Sequence, residues 1–165
     1  MKIVIEKEQF TRTLKRMTHE IIEKNEDISD VVLVGIERKG TPIAKEIQSL
    51  IKQFEDIDVP LESINIGSHR DDHKKDDNIK SVFNNSINNK IVILVDDVLY
   101  TGRSVRAAMD AIMDMGRPSK IELAIFVDRG HRELPIRADF VGKSIPTSKN
   151  EVVNVDYINR QVVLK

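Results

Sequence analysis

At 165 residues, 40% hydrophobic and 32% charged, the chain has the length and composition of one globular domain, residues 1–165, with a substantial core. No apolar run approaches the roughly 20 residues of a membrane span, and MKIVIEKEQF offers no signal-peptide core. The absence of Cys excludes a disulfide framework, a thiolate nucleophile and a zinc–thiolate site. Lys and Arg number 26 against 27 acidic residues, so any basic surface must arise by local segregation, and a cytoplasmic protein is the expectation.

Lys7–Lys24 sets Phe10, Leu14, Met17 and Ile21 at helical spacing; at about 100° per residue, Arg12, Lys15, Arg16 and His19 fall on the opposite face. Val31–Ile36 reads as a buried strand leading into the charged loop Glu37-Arg38-Lys39-Gly40. Thr41-Pro42 has the signature of a helix start, Thr at the cap and Pro at the first position, and Ile43, Ala44, Ile47, Leu50 and Ile51 supply the core stripe. Leu61–Ile66 is a predicted short strand. Residues 67–89 are polar, Asn-rich and aperiodic, as expected of a mobile functional loop. Ile91–Val95 is apolar without alternation, a strand buried on both faces that ends in Asp96 and Asp97. A helix over Arg103–Met115, stopped by Gly116 and Pro118, a strand over Lys120–Val127, the polar turn Asp128–Arg137 and a short strand within Ala138–Pro146 complete the series. This order implies an α/β fold, a mostly parallel central sheet with helices on both faces.

In such sheets ligands bind beyond the carboxyl ends of the strands. Three loops leave strand ends here: Glu37–Gly40, Asp96–Ser104 and Asp128–Arg137. Tyr100-Thr101-Gly102-Arg103-Ser104 joins a strand to a helix N-terminus through small side chains and bare backbone. That combination suits a phosphate. The adjacent Asp96 and Asp97 are acceptors suited to vicinal hydroxyls or a divalent cation. A phosphate cradle beside a diol clamp describes a ribose 5-phosphate.

The stretch IVILVDDVLYTGRS, Ile91–Ser104, resembles the signature of the type I phosphoribosyltransferases for 5-phosphoribosyl diphosphate (PRPP). The likeness extends through VLYTGRSVRAAMDAIMDMGRPSKIELAIFVDRGHRELPIRADFVGKSIPTSK, LKRMTHEIIEKN, VVLVGIERKG and HRDD to the pyrimidine-operon regulators of that family, which double as uracil phosphoribosyltransferases. The resemblance implies the type I fold with a flexible active-site loop. It implies that Asp96 and Asp97 hold the ribose hydroxyls, with Val98 and Leu99 beside them. Tyr100, Thr101, Gly102, Arg103 and Ser104 would bind the 5-phosphate, and Arg38, Lys39 and Gly40 the diphosphate, Lys39 standing where the family usually has Arg. Arg70 would close over the diphosphate. Mg²⁺ would arrive with PRPP, with no direct strong ligation by the protein. Purine-salvage relatives carry an acid just before Thr-Gly; Tyr100 argues for a pyrimidine, with uracil expected near Val141 and UMP as product.

The same resemblance implies a second function, uridine-nucleotide-dependent binding of an mRNA leader hairpin and transcription attenuation. UMP or UTP would be the signal. The matching positions are Lys15, Arg16 and His19 on the first helix and Arg132, Arg137 and Lys143 further on. A homodimer or higher homo-oligomer would merge two such patches into one basic surface. Neither DNA nor a membrane is implied as a partner. The alternative is a nucleotide-sensing RNA-binding regulator with weakened catalysis.

Overall fold

The computed structural model describes residues 1–67 and 82–165. Its elements in chain order are β1 (Lys2–Ile5), α1 (Lys7–Lys24), β2 (Val31–Ile36), α2 (Gly40–Glu55), β3 (Leu61–Ile64), β4 (Ile91–Leu99), α3 (Arg103–Met115), β5 (Lys120–Asp128), β6 (Phe140–Ser144), β7 (Val153–Asp156) and β8 (Gln161–Leu164). Five strands form a sheet in the order β3-β2-β4-β5-β6, with every pairing parallel.

Side chains on a strand alternate between faces, and both faces of this sheet are covered. Val31, Leu33, Ile93 and Val95 pack with α1 and α2 through Phe10, Leu14, Ile43 and Ile47. Val32, Val34, Val92 and Leu94 pack with α3 through Val105, Ala108 and Ile112. Double coverage is the reason β2 and β4 read as unbroken apolar runs. Phe10 anchors the first core, its ring centroid 4.5 Å from that of Phe126.

The type I phosphoribosyltransferase architecture expected from the sequence is present, with three local corrections. β4 runs through Asp96 and Asp97 to Leu99 instead of stopping at Val95, and β3 ends at Ile64, while β6, Phe140–Ser144, falls within the expected span. α2 starts at Gly40, so Thr41 does not cap it; the Thr41 hydroxyl lies 2.9 Å from that of Ser63 instead. Pro42 still falls in the first turn, where its missing N–H costs nothing.

A second, antiparallel sheet, β1-β8-β7, was not foreseen. The turn between β7 and β8 is fastened to the helices. Arg160 donates to both Glu46 oxygens, at 2.8 and 2.9 Å, and to the Thr11 hydroxyl, while the Tyr157 hydroxyl donates to Glu46 at 2.7 Å.

Of the loop expected at 67–89, residues 68–81 lie outside the described residues. The return from it is anchored. The buried Glu62 carboxylate accepts from the N–H groups of Asn84 and Asn85, at 3.2 and 2.9 Å, and Ile87 is buried in the second core.

Candidate functional site

β4 delivers the aspartates to the carboxyl end of the sheet. Asp96 is 8% exposed and Asp97 half-buried. Each carboxylate accepts the N–H of the next residue, Asp96 from Asp97 at 2.9 Å and Asp97 from Val98 at 2.8 Å. The strand's alternation changes phase at this pair: Val98 joins the core that holds Val95, and Leu99 the core that holds Leu94.

The turn beyond β4 is built from its small residues. Gly102 sits at φ +95°, a left-handed conformation that other residues adopt at a cost, and it begins α3 with no side-chain cap. No acidic residue occupies the first turn of α3, so the helix N-terminus keeps its positive character for a ligand. The Thr101 hydroxyl accepts the Arg103 N–H at 3.2 Å. A hollow of about 210 Å³ opens here, lined by Val98, Tyr100, Thr101, Gly102 and Ser104 among others.

Residues 129–136 brace this turn one position at a time. The Arg129 N–H donates to the Leu99 carbonyl at 3.1 Å and the Glu133 N–H to the Thr101 carbonyl at 2.9 Å. Arg103 Nε donates to Glu133 at 3.1 Å, and Leu134 and Ile136 lie against Gly102.

The Glu37–Gly40 loop reaches the same strand end. A Cβ on Gly40 would run into the Val95 carbonyl and come within 3.1 Å of the Asp96 Cα, so glycine is what lets α2 begin against β4. Arg38 and Lys39 are exposed. Lys39 Nζ donates to Asn154 Oδ1 at 2.6 Å and to the Val155 carbonyl at 3.4 Å, which ties this loop to β7. A hollow of about 330 Å³ lies between them, walled by Arg38, Lys39, Asn154, Asp156, Tyr157 and Ile158 among others.

Behind that wall the Glu46–Tyr157–Arg160 network is electrostatically tuned. Burial opposes ionisation of Glu46, but the hydrogen bonds from Arg160 and Tyr157 and the Arg160 charge outweigh it and hold the carboxyl below its usual range. Burial, and then the Glu46 carboxylate, push the Tyr157 hydroxyl up to about 12.

The remaining expected residues are dispersed. Val141 lies on the edge strand β6, level with Ile125 on β5 and through it with Asp96 on β4, which puts it about 10 Å from Asp96 at ordinary strand spacing. Its carbonyl accepts from Arg16 at 3.3 Å, and Arg16 also reaches the Gly142 carbonyl and Glu20. Lys143 donates to the Val4 carbonyl at 3.4 Å. The His19 ring stacks on Phe54 with centroids 4.2 Å apart, and Lys15 is exposed. Arg132 and Arg137 rim an open hollow beside Gly130–Pro135, with Arg132 donating to the Ile136 carbonyl at 3.0 Å. Arg16 and Lys143 therefore share the β6 side, whereas Arg132 and Arg137 lie in or next to the segment bracing the Tyr100–Ser104 turn. Arg70 lies outside the described residues. Among the described residues no cluster of three or more His, Asp or Glu is grouped to hold a metal ion, and no helix is long and apolar enough to cross a membrane.

Sequence reasoning missed Asn154, Tyr157 and Ile158, which close the Lys39 side, and Arg129 and Glu133, which brace the turn. All are distant in sequence from what they touch, so no local pattern marks them.

Residues 4–158 match the phosphoribosyl transferase domain model, and the chain belongs to the phosphoribosyl transferase family. Its curated relatives are more particular. It is 53% identical over 158 residues to the bifunctional protein PyrR of Clostridium novyi (strain NT), covering 93% of this chain and 88% of that one. It is 54% identical over 162 residues to the bifunctional protein pyrR of Enterococcus faecalis (strain ATCC 700802 / V583), covering 96% and 91%. Among solved structures it is similar to the hypoxanthine phosphoribosyltransferase from Trypanosoma cruzi in complex with the product IMP. There the TM-score is 0.77 at 19% identity, over 99% of this chain and 89% of that one. A hypoxanthine phosphoribosyltransferase from Staphylococcus aureus gives 0.71 at 21%, over 92% and 79%. At these identities the structural likeness shows the fold alone.

Proposed function

We propose that this chain transfers the phosphoribosyl group of PRPP to uracil, yielding UMP and diphosphate. With uridine nucleotide bound, it acts in the cytoplasm as an RNA-binding attenuator of pyrimidine biosynthetic messages. The observation that carries the reading is the meeting of three features at one strand end. They are the uncapped α3 N-terminus behind Tyr100–Ser104, the Asp96–Asp97 pair, and the Arg38–Gly40 loop seated against Asp96 by Gly40. A phosphate, a ribose diol and a diphosphate each find donors or acceptors of the right charge.

In the reaction the bond between ribose C1 and the diphosphate oxygen breaks, and a uracil nitrogen forms the new bond to C1, its proton passing to water or the departing diphosphate. Asp96 and Asp97 orient the ribose through its hydroxyls. The α3 N-terminus, Thr101, Arg103 and Ser104 hold the 5-phosphate. Lys39, and Arg70 from the 68–81 segment, stabilise the departing charge. Mg²⁺ bound with PRPP would be held largely by the ligand's own oxygens and water, and the half-buried Asp97 carboxylate suits the edge of such a hard-oxygen shell without strong direct ligation. That ion would neutralise charge on the leaving diphosphate.

The nucleotide dependence of RNA binding has a structural support. Arg132 and Arg137 flank Glu133, which holds Thr101 and Arg103, so the phosphate turn is hydrogen-bonded to the segment that would carry this part of the RNA face. Lys15, Arg16, His19 and Lys143 would extend the face across the α1–β6 side, and a two-fold dimer would double it.

The test is binding of a pyrimidine-leader hairpin with and without UMP. UMP is expected to tighten binding about ten-fold or more, a coupling of about 1.4 kcal/mol. Glu133→Gln, which weakens the tie to Arg103, is expected to shrink that factor. RNA binding that ignores UMP in the wild-type protein would refute the regulatory half.

A further inference from the structure

Arg129 has no part in the chemistry above, yet it is built in with care. It follows directly after β5 and is only 6% exposed. A guanidinium buried this deeply ordinarily meets a carboxylate, because a desolvated charge is costly when unpaired. Among the described residues Arg129 has instead a ring and a carbonyl. Its guanidinium carbon lies 4.1 Å from the centre of the Tyr100 ring, and Nη2 donates to the Ser148 carbonyl at 2.8 Å. Its buried Nε has no acceptor among the described residues.

The backbone of the same residue makes the same two connections. Its N–H donates to the Leu99 carbonyl at 3.1 Å, next to Tyr100, and its carbonyl accepts the Thr147 hydroxyl at 2.9 Å, next to Ser148. Two residues on, His131 repeats the pattern. Its Nε2 lies 2.6 Å from the Thr147 carbonyl, and its ring sits edge-on to Tyr100 at 5.9 Å.

From this doubled bridge we propose that Arg129 is a positioning residue for the phosphoribosyl site. It holds the Tyr100 ring under a guanidinium anchored on the Thr147–Ser148 segment, and so fixes where the Tyr100–Ser104 turn begins. The inference rests on the phosphoribosyltransferase reading. Tyr100 is the first residue of the phosphate turn, so a freed ring lets the backbone of Thr101 and Gly102 drift from the phosphate. The loss falls on PRPP binding more than on the chemical step. An ammonium keeps an attraction to the ring but lacks the fork that meets the ring and the Ser148 carbonyl at once, so lysine is not an adequate substitute.

The experiment is steady-state kinetics of Arg129→Lys and Arg129→Met with PRPP varied, alongside calorimetric titration of UMP. Both variants are expected to raise the PRPP KM about ten-fold or more while kcat stays within about three-fold, and to weaken UMP binding in parallel. A folded Arg129→Lys protein with a PRPP KM within about two-fold of wild type would overturn the proposal. Should neither variant fold, Tyr100→Leu removes the other half of the stack and leaves Arg129 in place. It is expected to raise the PRPP KM similarly, and an unchanged KM would overturn the proposal. Wild-type protein that binds neither PRPP nor UMP would remove the phosphoribosyltransferase reading itself, and this inference with it.

Discussion

Asp97→Asn exchanges one carboxylate oxygen for an amide nitrogen and leaves the side-chain shape almost intact, so it separates chemistry from folding. The half-buried Asp97 already spends one oxygen on the Val98 N–H. Asparagine can keep that bond but loses the charge and one acceptor. A fall in kcat/KM of about 100-fold or more, about 2.7 kcal/mol of transition-state stabilisation, is expected with thermal melting little changed. A loss of less than about two-fold would remove Asp97 from the ribose clamp. Gly40→Ala tests the seating of the Glu37–Gly40 loop. The added methyl meets the Val95 carbonyl, backbone that cannot step aside as a flexible side chain would. A stability loss of about 2 kcal/mol is expected, read from urea unfolding, together with a raised KM for PRPP. Asp96, Asp97 and Gly102 were legible in the sequence because strand, acid pair and turn residues are contiguous. Arg129 and Asn154 were not: an Arg in DRGHR and an Asn in EVVNVDY look like ordinary polar positions until the fold sets them against Tyr100 and Lys39.

The five-stranded sheet and its three helices were readable because long apolar runs and 3.6-residue stripes report burial directly. β1, β7 and β8 are four residues each, too short for periodicity to stand out, and their pairing joins the two ends of the chain. The start of α2 was misplaced because Thr-Pro imitates a capped N-terminus, whereas Gly40 supplies the close approach that sets the real one. The Glu46–Tyr157–Arg160 network that fastens β7 and β8 makes a pH prediction. Glu46 is held below its ordinary value of 4.5, so its pairing contributes stability above that pH and loses it as pH falls through the lower folded-state value. Tyr157, pushed up to about 12, contributes below its ordinary 10.0 and loses that contribution as pH rises from there towards 12. Urea midpoints measured across pH should fall at both ends, and Glu46→Gln should flatten both limbs. Arg160→Met, which leaves Glu46 without its charged donor, should cost about 2 kcal/mol at neutral pH.

At the scale of the whole molecule, two apolar cores clamp a parallel sheet whose carboxyl edge is left to carry charge. The net charge of −1 gives no sign of the proposed RNA binding. The basic residues assigned to that role are instead segregated to the α1–β6 side and to the segment after β5. The fold is shared with hypoxanthine phosphoribosyltransferases and so does not choose the base. That choice rests on the residues around Tyr100, where the purine-salvage pattern has an acid. Diphosphate release from PRPP and Mg²⁺, with uracil, cytosine, hypoxanthine, guanine and orotate offered separately, tests this most directly. Release is expected with uracil and not with the purines. Release with hypoxanthine or guanine and none with uracil, from a folded protein, would contradict it.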